Sequence, residues 1–194
     1  GNPRRPDLTV RFVEVDIGWG FTGARITRVQ ASGVRLRGQL KGGALDLGQV
    51  NKLLEGGGGK AELPDWSVQV EDAIADIASD YGRLTFALNG QGPVRNGFVG
   101  KLGFAAPTLQ LGSCRADELR APLDVTTQDA KIALKGPLSA PEIGCSNIGL
   151  TLAAPKLDFN LRTDLALEDI GGVLMITADQ ARQQARRLGR VFGV

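Results

Sequence analysis

Residues 83–90 read RLTFALNG, and residues 98–105 read FVGKLGFA. In both stretches apolar side chains alternate with polar or small ones, so every second side chain points to the same side. Alternation with a period of two predicts a half-buried antiparallel strand, with one face against apolar material and the other in water. These two stretches therefore define the fold class that we expect for the rest of the chain.

The same alternation recurs along most of the chain. It appears at residues 34–41, 66–71, 131–135 and 157–167. Short runs of glycine, asparagine or proline separate these segments and are typical of turns or bulges. From this spacing we count roughly ten to twelve strands and predict an all-β, antiparallel fold. The expected turns or bulges include Gly18-Trp19-Gly20, Gly42-Gly43, Asn89-Gly90, Asn96-Gly97 and Gly171-Gly172.

Two short helices and a glycine-rich loop are expected between and after the strands. Residues 48–54 (GQVNKLL) predict the first helix, and a second is expected near residues 178–190, behind the capping box TADQ. The glycine-rich loop covers residues 55–61 and lacks the Gly-Lys-Ser/Thr ending of a phosphate loop. We interpret residues 1–194 as one segment of a longer protein, which this loop could subdivide.

Composition excludes several classes of function. The 194 residues carry 23 basic and 21 acidic side chains, a balance that argues against a dedicated nucleic-acid binder. Without histidine the chain cannot form histidine metal sites or a Ser-His-Asp triad, and two cysteines cannot form a four-thiolate zinc site. No apolar run reaches the ~18 residues of a transmembrane helix. We therefore expect that the protein is not an enzyme and that it binds no cofactor and no metal.

Cys114 and Cys145 occupy matching places in two similar segments. Each segment reads as proline, strand, cysteine, strand, Ala-Pro and strand, at residues 107–125 and 141–159. The two cysteines are either buried reduced thiols or one disulfide formed in an oxidising compartment. We favour the disulfide, because matched positions in neighbouring strand pairs lie close together.

An amphipathic sheet of this size must cover its apolar face. Two short helices cannot cover ten or more strands, so we expect the sheet to close as a sandwich or barrel or to curl into an open groove. Ten strands spaced ~4.8 Å apart extend over about 50 Å, a length that suits acyl chains. We expect the inward glycines, among them Gly38, Gly90 and Gly100, to permit coiling and to leave room at the groove floor.

Three stretches resemble the YdbH family of AsmA-like proteins of Gram-negative bacteria, to which TamB and AsmA are more distantly related. The resemblance implies a periplasmic protein anchored in the inner membrane. It also implies an elongated, strongly twisted antiparallel sheet that is curled into an open, taco-shaped groove. The stretches are residues 33–48 (GVRLRGQLKGGALDLG), residues 80–90 (DYGRLTFALNG) with 96–102 (NGFVGKL), and residues 111–125 with the later Cys145 counterpart.

A passive function in outer-membrane biogenesis follows from this resemblance. Phospholipid would pass along the groove between the inner and outer membranes, with acyl chains on the apolar residues and head groups in solvent. The implied partners are phospholipid, membranes and envelope proteins, and no nucleic acid. We assign to the lipid groove Val34, Leu36, Leu40, Trp66, Val68, Val70, Leu84, Phe86, Leu88, Phe98, Leu102, Phe104, Ile132, Leu134, Leu157, Phe159 and Leu161.

Two other functions stay open from the residues alone. A sheet with open edges could receive a client β-strand, so the protein could be a periplasmic assembly module, as TamB-like proteins are. A closed β-sandwich would instead hold a ligand in one enclosed pocket. Bound lipid, a bound peptide strand or an enclosed pocket would distinguish the three functions.

Overall fold

The computed structural model describes residues 7–21, 23–42, 44–48, 63–164, 170–177 and 180–183. Within these ranges every regular element is a β-strand, as the alternation predicts, and no helix is present. The strands are β1 (Leu8–Thr9), β2 (Phe12–Gly20), β3 (Gly23–Ser32), β4 (Arg35–Lys41), β5 (Ala44–Asp46), β6 (Ser67–Ser79), β7 (Gly82–Pro93), β8 (Val99–Leu111), β9 (Cys114–Gln128), β10 (Lys131–Ser139), β11 (Glu142–Cys145), β12 (Leu150–Ala153), β13 (Lys156–Thr163), β14 (Ile170–Thr177) and β15 (Gln180–Gln183).

All fifteen strands belong to one open sheet. From β6 to β10 the chain forms an antiparallel meander in which each strand pairs with the next. On one side of this meander, β3 and β4 both pair with β6 in parallel, so our expectation of a wholly antiparallel sheet is wrong for these two pairs. The strands β2 and β1 pair with β3 and β4 as outer strands. On the other side, β10 and β11 both pair with β9, and the sheet continues through β12 to β15. The described strands therefore form an open sheet that does not close into a barrel.

The first bend in the sheet crosses β3, β4 and β6. Gly33 and Asp72 have positive φ angles of 62° and 51°, and Asp72 lies in a bulge where β6 shifts register against β7. Arg35 donates hydrogen bonds to the backbone oxygen of Asp72 (2.6 Å) and to its carboxylate (2.9 Å). The Asp72 N–H donates to Oδ1 of Asn89 at 2.8 Å. These bonds satisfy polar groups that the bulge removes from the strand ladder.

The second bend crosses the sheet from β8 to β13. Glu118 lies within β9 with a φ of 50°, and the Ala-Pro pairs at 140–141 and 154–155 separate β10 from β11 and β12 from β13. A residue with positive φ, or a proline, interrupts the strict alternation of a strand. Ala116 and Leu119 are therefore both buried although they are three positions apart. The apolar side chains keep to one side of the sheet across the bend.

The cross-strand register divides the sheet into two faces. The apolar face carries Phe86 and Phe104, which lie opposite each other with ring centroids 5.2 Å apart. The polar face carries most of the charged side chains, including the ion pair of Lys101 with Asp124. The core lies on the apolar face, where the buried strand residues are Ile77, Ala106, Ala116, Leu119, Ala121, Leu123, Val125, Thr127, Leu157 and Thr163.

Several of the expected turns or bulges lie inside strands. Asn96-Gly97 is in a turn, whereas Asn89-Gly90 lies inside β7, opposite the bulge in β6. Asn89 is needed there to accept the hydrogen bond from the Asp72 bulge. Gly18-Trp19-Gly20 and Gly171-Gly172 likewise lie inside β2 and β14 and pair with their neighbouring strands.

The expected helices are not found among the described residues. Residues 49–62, which contain most of the expected helix at 48–54 and the loop at 55–61, lie outside the described ranges. The expected helix near 178–190 is wrong for Gln180–Gln183, because these residues pair antiparallel with Leu150–Ala153 and form β15. The other residues of that expected helix, 178–179 and 184–190, lie outside the described ranges.

Candidate functional site: the apolar face

The structure brings most of the predicted groove residues onto the apolar face. Their register is continuous from strand to strand, as in the pairs Leu88 with Leu102 and Leu134 with Leu161. Val34, Trp66 and Phe98 lie just before β4, β6 and β8 rather than within them. The strand residues that share the apolar face are Leu36, Leu40, Val68, Val70, Leu84, Phe86, Leu88, Leu102, Phe104, Ile132, Leu134, Leu157, Phe159 and Leu161.

The middle of the apolar face is covered by the protein itself. On β9 every second side chain from Leu119 to Thr127 is buried, with Leu119 4% exposed. Side chains from both sides of the second bend pack into one cluster, which joins Ala106 and Leu119 to Ala116. The cluster also contains Ala140 and is packed against Leu84, Phe104, Leu109, Leu138 and Ile143.

The inward glycines do not leave room at the floor of the sheet. A Cβ atom on Gly38 would lie 2.7 Å from the Leu47 side chain, and one on Gly100 would lie 2.9 Å from the ring of Phe98. The same ring lies over Gly90. Our expectation of free space is therefore wrong at these positions, because large side chains from neighbouring segments fill it. Phe98 is 7% exposed, so it is part of the core in this structure.

The N-terminal end of the same face is not covered by any other described part of the chain. Val15 lies opposite Val29, which in turn lies beside Val68, so the face continues from β6 through β3 to β2. On β2, however, the inward side chains are in water: Val13 is 57% exposed and Ile17 is 62% exposed. Trp19, at the end of this row, is 85% exposed.

None of these β2 side chains is in the groove predicted from the sequence. The signal is present in the sequence FVEVDIGWG, where Val13, Val15 and Ile17 alternate with Glu14 and Asp16. Our assignment began at Val34, and the pairing that extends the face toward the N-terminus is visible only in the structure. The uncovered part of the apolar face therefore lies mainly outside the predicted set.

The polar face contains a small network of charged and polar groups at the β8–β9 end. Arg115 Nε donates to the Asp117 carboxylate at 2.9 Å, and Thr108 donates to the same carboxylate at 2.8 Å. These hydrogen bonds, first from Arg115 and then from Thr108, lower the pKa of Asp117. The hydrogen bond with Asp117 raises the pKa of Arg115. Both groups are in water, so the network is part of a solvated face.

The two cysteines form a disulfide, as we favoured. Cys114 at the start of β9 lies directly opposite Cys145 at the end of β11. The bond closes a chain segment with a sequence separation of 31. It ties β11 to β9 on the far side of the second bend, next to the cluster that contains Ala116.

The described residues contain no group of three or more metal-ligating side chains. They also contain no helix with the length and hydropathy needed to cross a bilayer. Comparison of the chain with protein-family models, with curated proteins and with solved structures gives no match. The apolar face and the open edges of the sheet are therefore the features from which a function is inferred.

Proposed function

We propose that the protein binds the acyl chains of phospholipid on the apolar face of its sheet and passes lipid along it without catalysis. The observation that carries this proposal is the continuous apolar face, which no other described part of the chain covers along β2. The resemblance to the YdbH family supplies the setting: a periplasmic, inner-membrane-anchored protein that transfers lipid between the two membranes of a Gram-negative envelope. The Cys114–Cys145 disulfide is compatible with an oxidising compartment of this kind.

The driving force for binding is the removal of apolar surface from water. Monomeric proteins rarely expose a large contiguous apolar patch without a partner. Acyl chains laid on Val13, Val15 and Ile17 would gain about 25 cal/mol for each Å² covered. Head groups would remain in solvent at the open edge of β2, so no polar group needs to enter the groove.

The residues of the apolar face fall into three groups in this proposal. The half-buried side chains of the predicted groove, such as Phe86 and Leu102, would form its walls. Phe98 and Leu157 are buried by other side chains, so we assign them to the supporting core. Val13, Val15 and Ile17, which are exposed on β2, would extend the groove beyond the residues predicted from the sequence.

Native mass spectrometry of the purified chain, with lipid extraction from the same sample, tests this proposal. We expect co-purifying phospholipid, and we expect Val15→Asp to abolish it while the fold is retained, because Val15 is 44% exposed. Phe86→Asp and Leu102→Asp should also reduce bound lipid. The matched control is Val99→Asp, because Val99 is 61% exposed on the polar face. Equal lipid in Val15→Asp and Val99→Asp would overturn the proposal.

A second candidate function follows from the edges of the sheet. Within the described ranges β14 pairs with β13 alone and β2 with β3 alone, so each has a free side for main-chain hydrogen bonding. A client strand could add to either edge, as in a periplasmic assembly module. Extraction of a peptide rather than lipid, with binding lost after proline substitution in β14, would favour this function over lipid transfer.

A further inference from the structure

The end of the β2–β3 hairpin is an uncharged segment with exposed aromatic side chains. Between Asp16 and Arg25 the chain reads IGWGFTGA. Trp19 is 85% exposed and Phe21 is fully exposed, which makes them the two most exposed large hydrophobic residues of the described part of the chain. Aromatic side chains of this size are normally among the best-covered groups of a protein.

The hairpin end projects beyond the neighbouring strand. β3 pairs with β6 only from Arg28 onward, where Arg28 lies beside Ser67. The pairs from Ile17–Ile26 to Gly20–Gly23 therefore have no β6 residue beside them. The tip therefore extends past the paired part of β6, and its two aromatic side chains are in water.

We propose that this tip inserts into the interfacial region of a phospholipid bilayer and docks the protein on the membrane surface. Tryptophan is enriched at this level of a bilayer, because its ring is apolar and its N–H can reach water. The step from Ile17 to Trp19 covers roughly 7 Å along the strand. That length matches the depth of about 5–10 Å to which interfacial segments bury their apolar side chains.

Arginine side chains at the base of the tip favour binding to the phosphate groups of a bilayer. Arg25 lies opposite Gly18 and Arg28 lies opposite Asp16, both on the polar face of the hairpin. With Trp19 in the interface, Arg25 would lie at the level of the phosphate groups. We therefore expect anionic lipid to strengthen docking several-fold, less than the aromatic side chains do.

With the tip inserted in the bilayer, the row of apolar side chains on β2 would begin at the membrane surface. Trp19 is in the same row as Val13, Val15 and Ile17, so an acyl chain that leaves the bilayer beside Trp19 would meet an apolar strand at once. This consequence rests on the proposed lipid-binding function, whereas the docking itself does not.

Flotation of the full 194-residue chain with vesicles of phosphatidylcholine and phosphatidylglycerol tests the docking. We expect the Trp19→Ser/Phe21→Ser double variant to lose about tenfold or more in vesicle binding. The matched control is Val173→Ser/Met175→Ser, which removes two side chains that are 63% and 60% exposed on the polar face of β14. Equal binding of the parent and the tip variant, or no binding of the parent, would overturn the proposal.

Fluorescence locates the contact. The chain has two tryptophans, so Trp66→Phe leaves Trp19 as the only source of tryptophan fluorescence. We expect its emission to shift to the blue on vesicle addition and to be quenched by lipids with brominated chains. An unchanged spectrum would contradict insertion. A shift without vesicles that grows with protein concentration would show that the tip binds a second copy, and would also contradict insertion.

Docking and groove binding can fail separately. A soluble fluorescent fatty acid measures acyl-chain binding without vesicles. We expect the tip variant to bind it as the parent does, while losing vesicle binding. Vesicle binding that survives in Val15→Asp together with loss of the fatty acid would support docking and leave it independent of the groove.

Discussion

The β2–β3 hairpin and strands β8 and β9 share one sequence pattern but differ in burial. In both regions apolar side chains alternate with polar ones and share one face of the sheet. On β9 these side chains are buried, and Leu119 is 4% exposed. On β2 they are in water, and Ile17 is 62% exposed. Alternation thus determines which side a residue faces, whereas the neighbours of the strand determine whether that side is covered.

Position in the sheet explains the difference. β9 has strands on both sides, and the second bend brings side chains from two directions onto it. Phe98 adds a ring over the glycines of β7 and β8. Among the described strands β2 pairs with β3 alone, and no described segment lies over its apolar face. The four predictions below test this contrast, starting with the largest expected effect.

A charge placed at equivalent points of the two regions should have very different effects. Leu119→Asp would bury an unpaired carboxylate in the central cluster and should lower the free energy of unfolding by more than ~4 kcal/mol. Val15→Asp should change it by less than about 0.5 kcal/mol, because the new carboxylate remains in water. Urea denaturation measures both. Similar losses in the two variants would show that the β2 face is covered in solution.

Removal of the disulfide should weaken the central region and not the hairpin. Cys114→Ser/Cys145→Ser releases a segment with a sequence separation of 31, which corresponds to about 3–4 kcal/mol in the chain-entropy description. Hydrogen exchange resolves where stability is lost. We expect faster exchange in β9 and β11 and unchanged exchange in β2. Uniformly faster exchange would mean that the two regions unfold together.

A methyl group added to a glycine should be costly in the middle of the sheet and tolerated at the hairpin. A Cβ atom on Gly90 would overlap the ring of Phe98 and lie 2.8 Å from the Gly100 Cα, so Gly90→Ala should cost about 1–3 kcal/mol. On Gly20 the nearest atom is Arg25 Nε at 4.0 Å, so Gly20→Ala should cost little. The melting temperatures of the two variants measure this difference in stability. Equal melting temperatures would contradict the packing of Phe98.

The smallest effect on stability is expected from the protonation of Asp117 at low pH. Since the pKa of Asp117 is lowered in the folded chain, its contribution to stability is present above its unfolded pKa of about 3.9 and is lost as the pH falls through the folded value. Asp117→Asn should therefore show a slightly weaker loss of stability on acidification than the parent. Urea midpoints between neutral pH and acid pH measure the difference. A stronger loss in the variant would contradict the direction of the pKa shift.

The sequence predicts the fold class and the disulfide but not the arrangement of the strands in the sheet. The alternation at Phe86 and Phe104 correctly indicates antiparallel strands, because the period of a strand is local. The pairing of Cys114 with Cys145 follows from their matched positions in two similar segments. The bends at Asp72 and Glu118 were not predicted, because a positive φ at an acidic residue leaves no clear mark in the sequence.

The candidate site is predicted less completely than the fold. Most of the assigned residues do share one face, because side-chain alternation continues through each strand. Burial of Phe98 depends on its ring reaching across to Gly90. Exposure of Ile17 reflects the position of β2, which pairs with β3 alone among the described strands. Both are properties of distant parts of the chain, which a local pattern does not contain.

The parallel pairing of β3 with β6 has a consequence for the order in which the molecule assembles. The residues paired there are about 40 positions apart, whereas β6 to β10 are joined by short hairpin turns. Closing the longer loop costs more chain entropy, so the meander should form first and accept the N-terminal strands afterwards. During synthesis the β2–β3 hairpin is made early, yet a lone hairpin is marginally stable in water. Until β6 arrives, its apolar side chains would be a binding site for a holding chaperone.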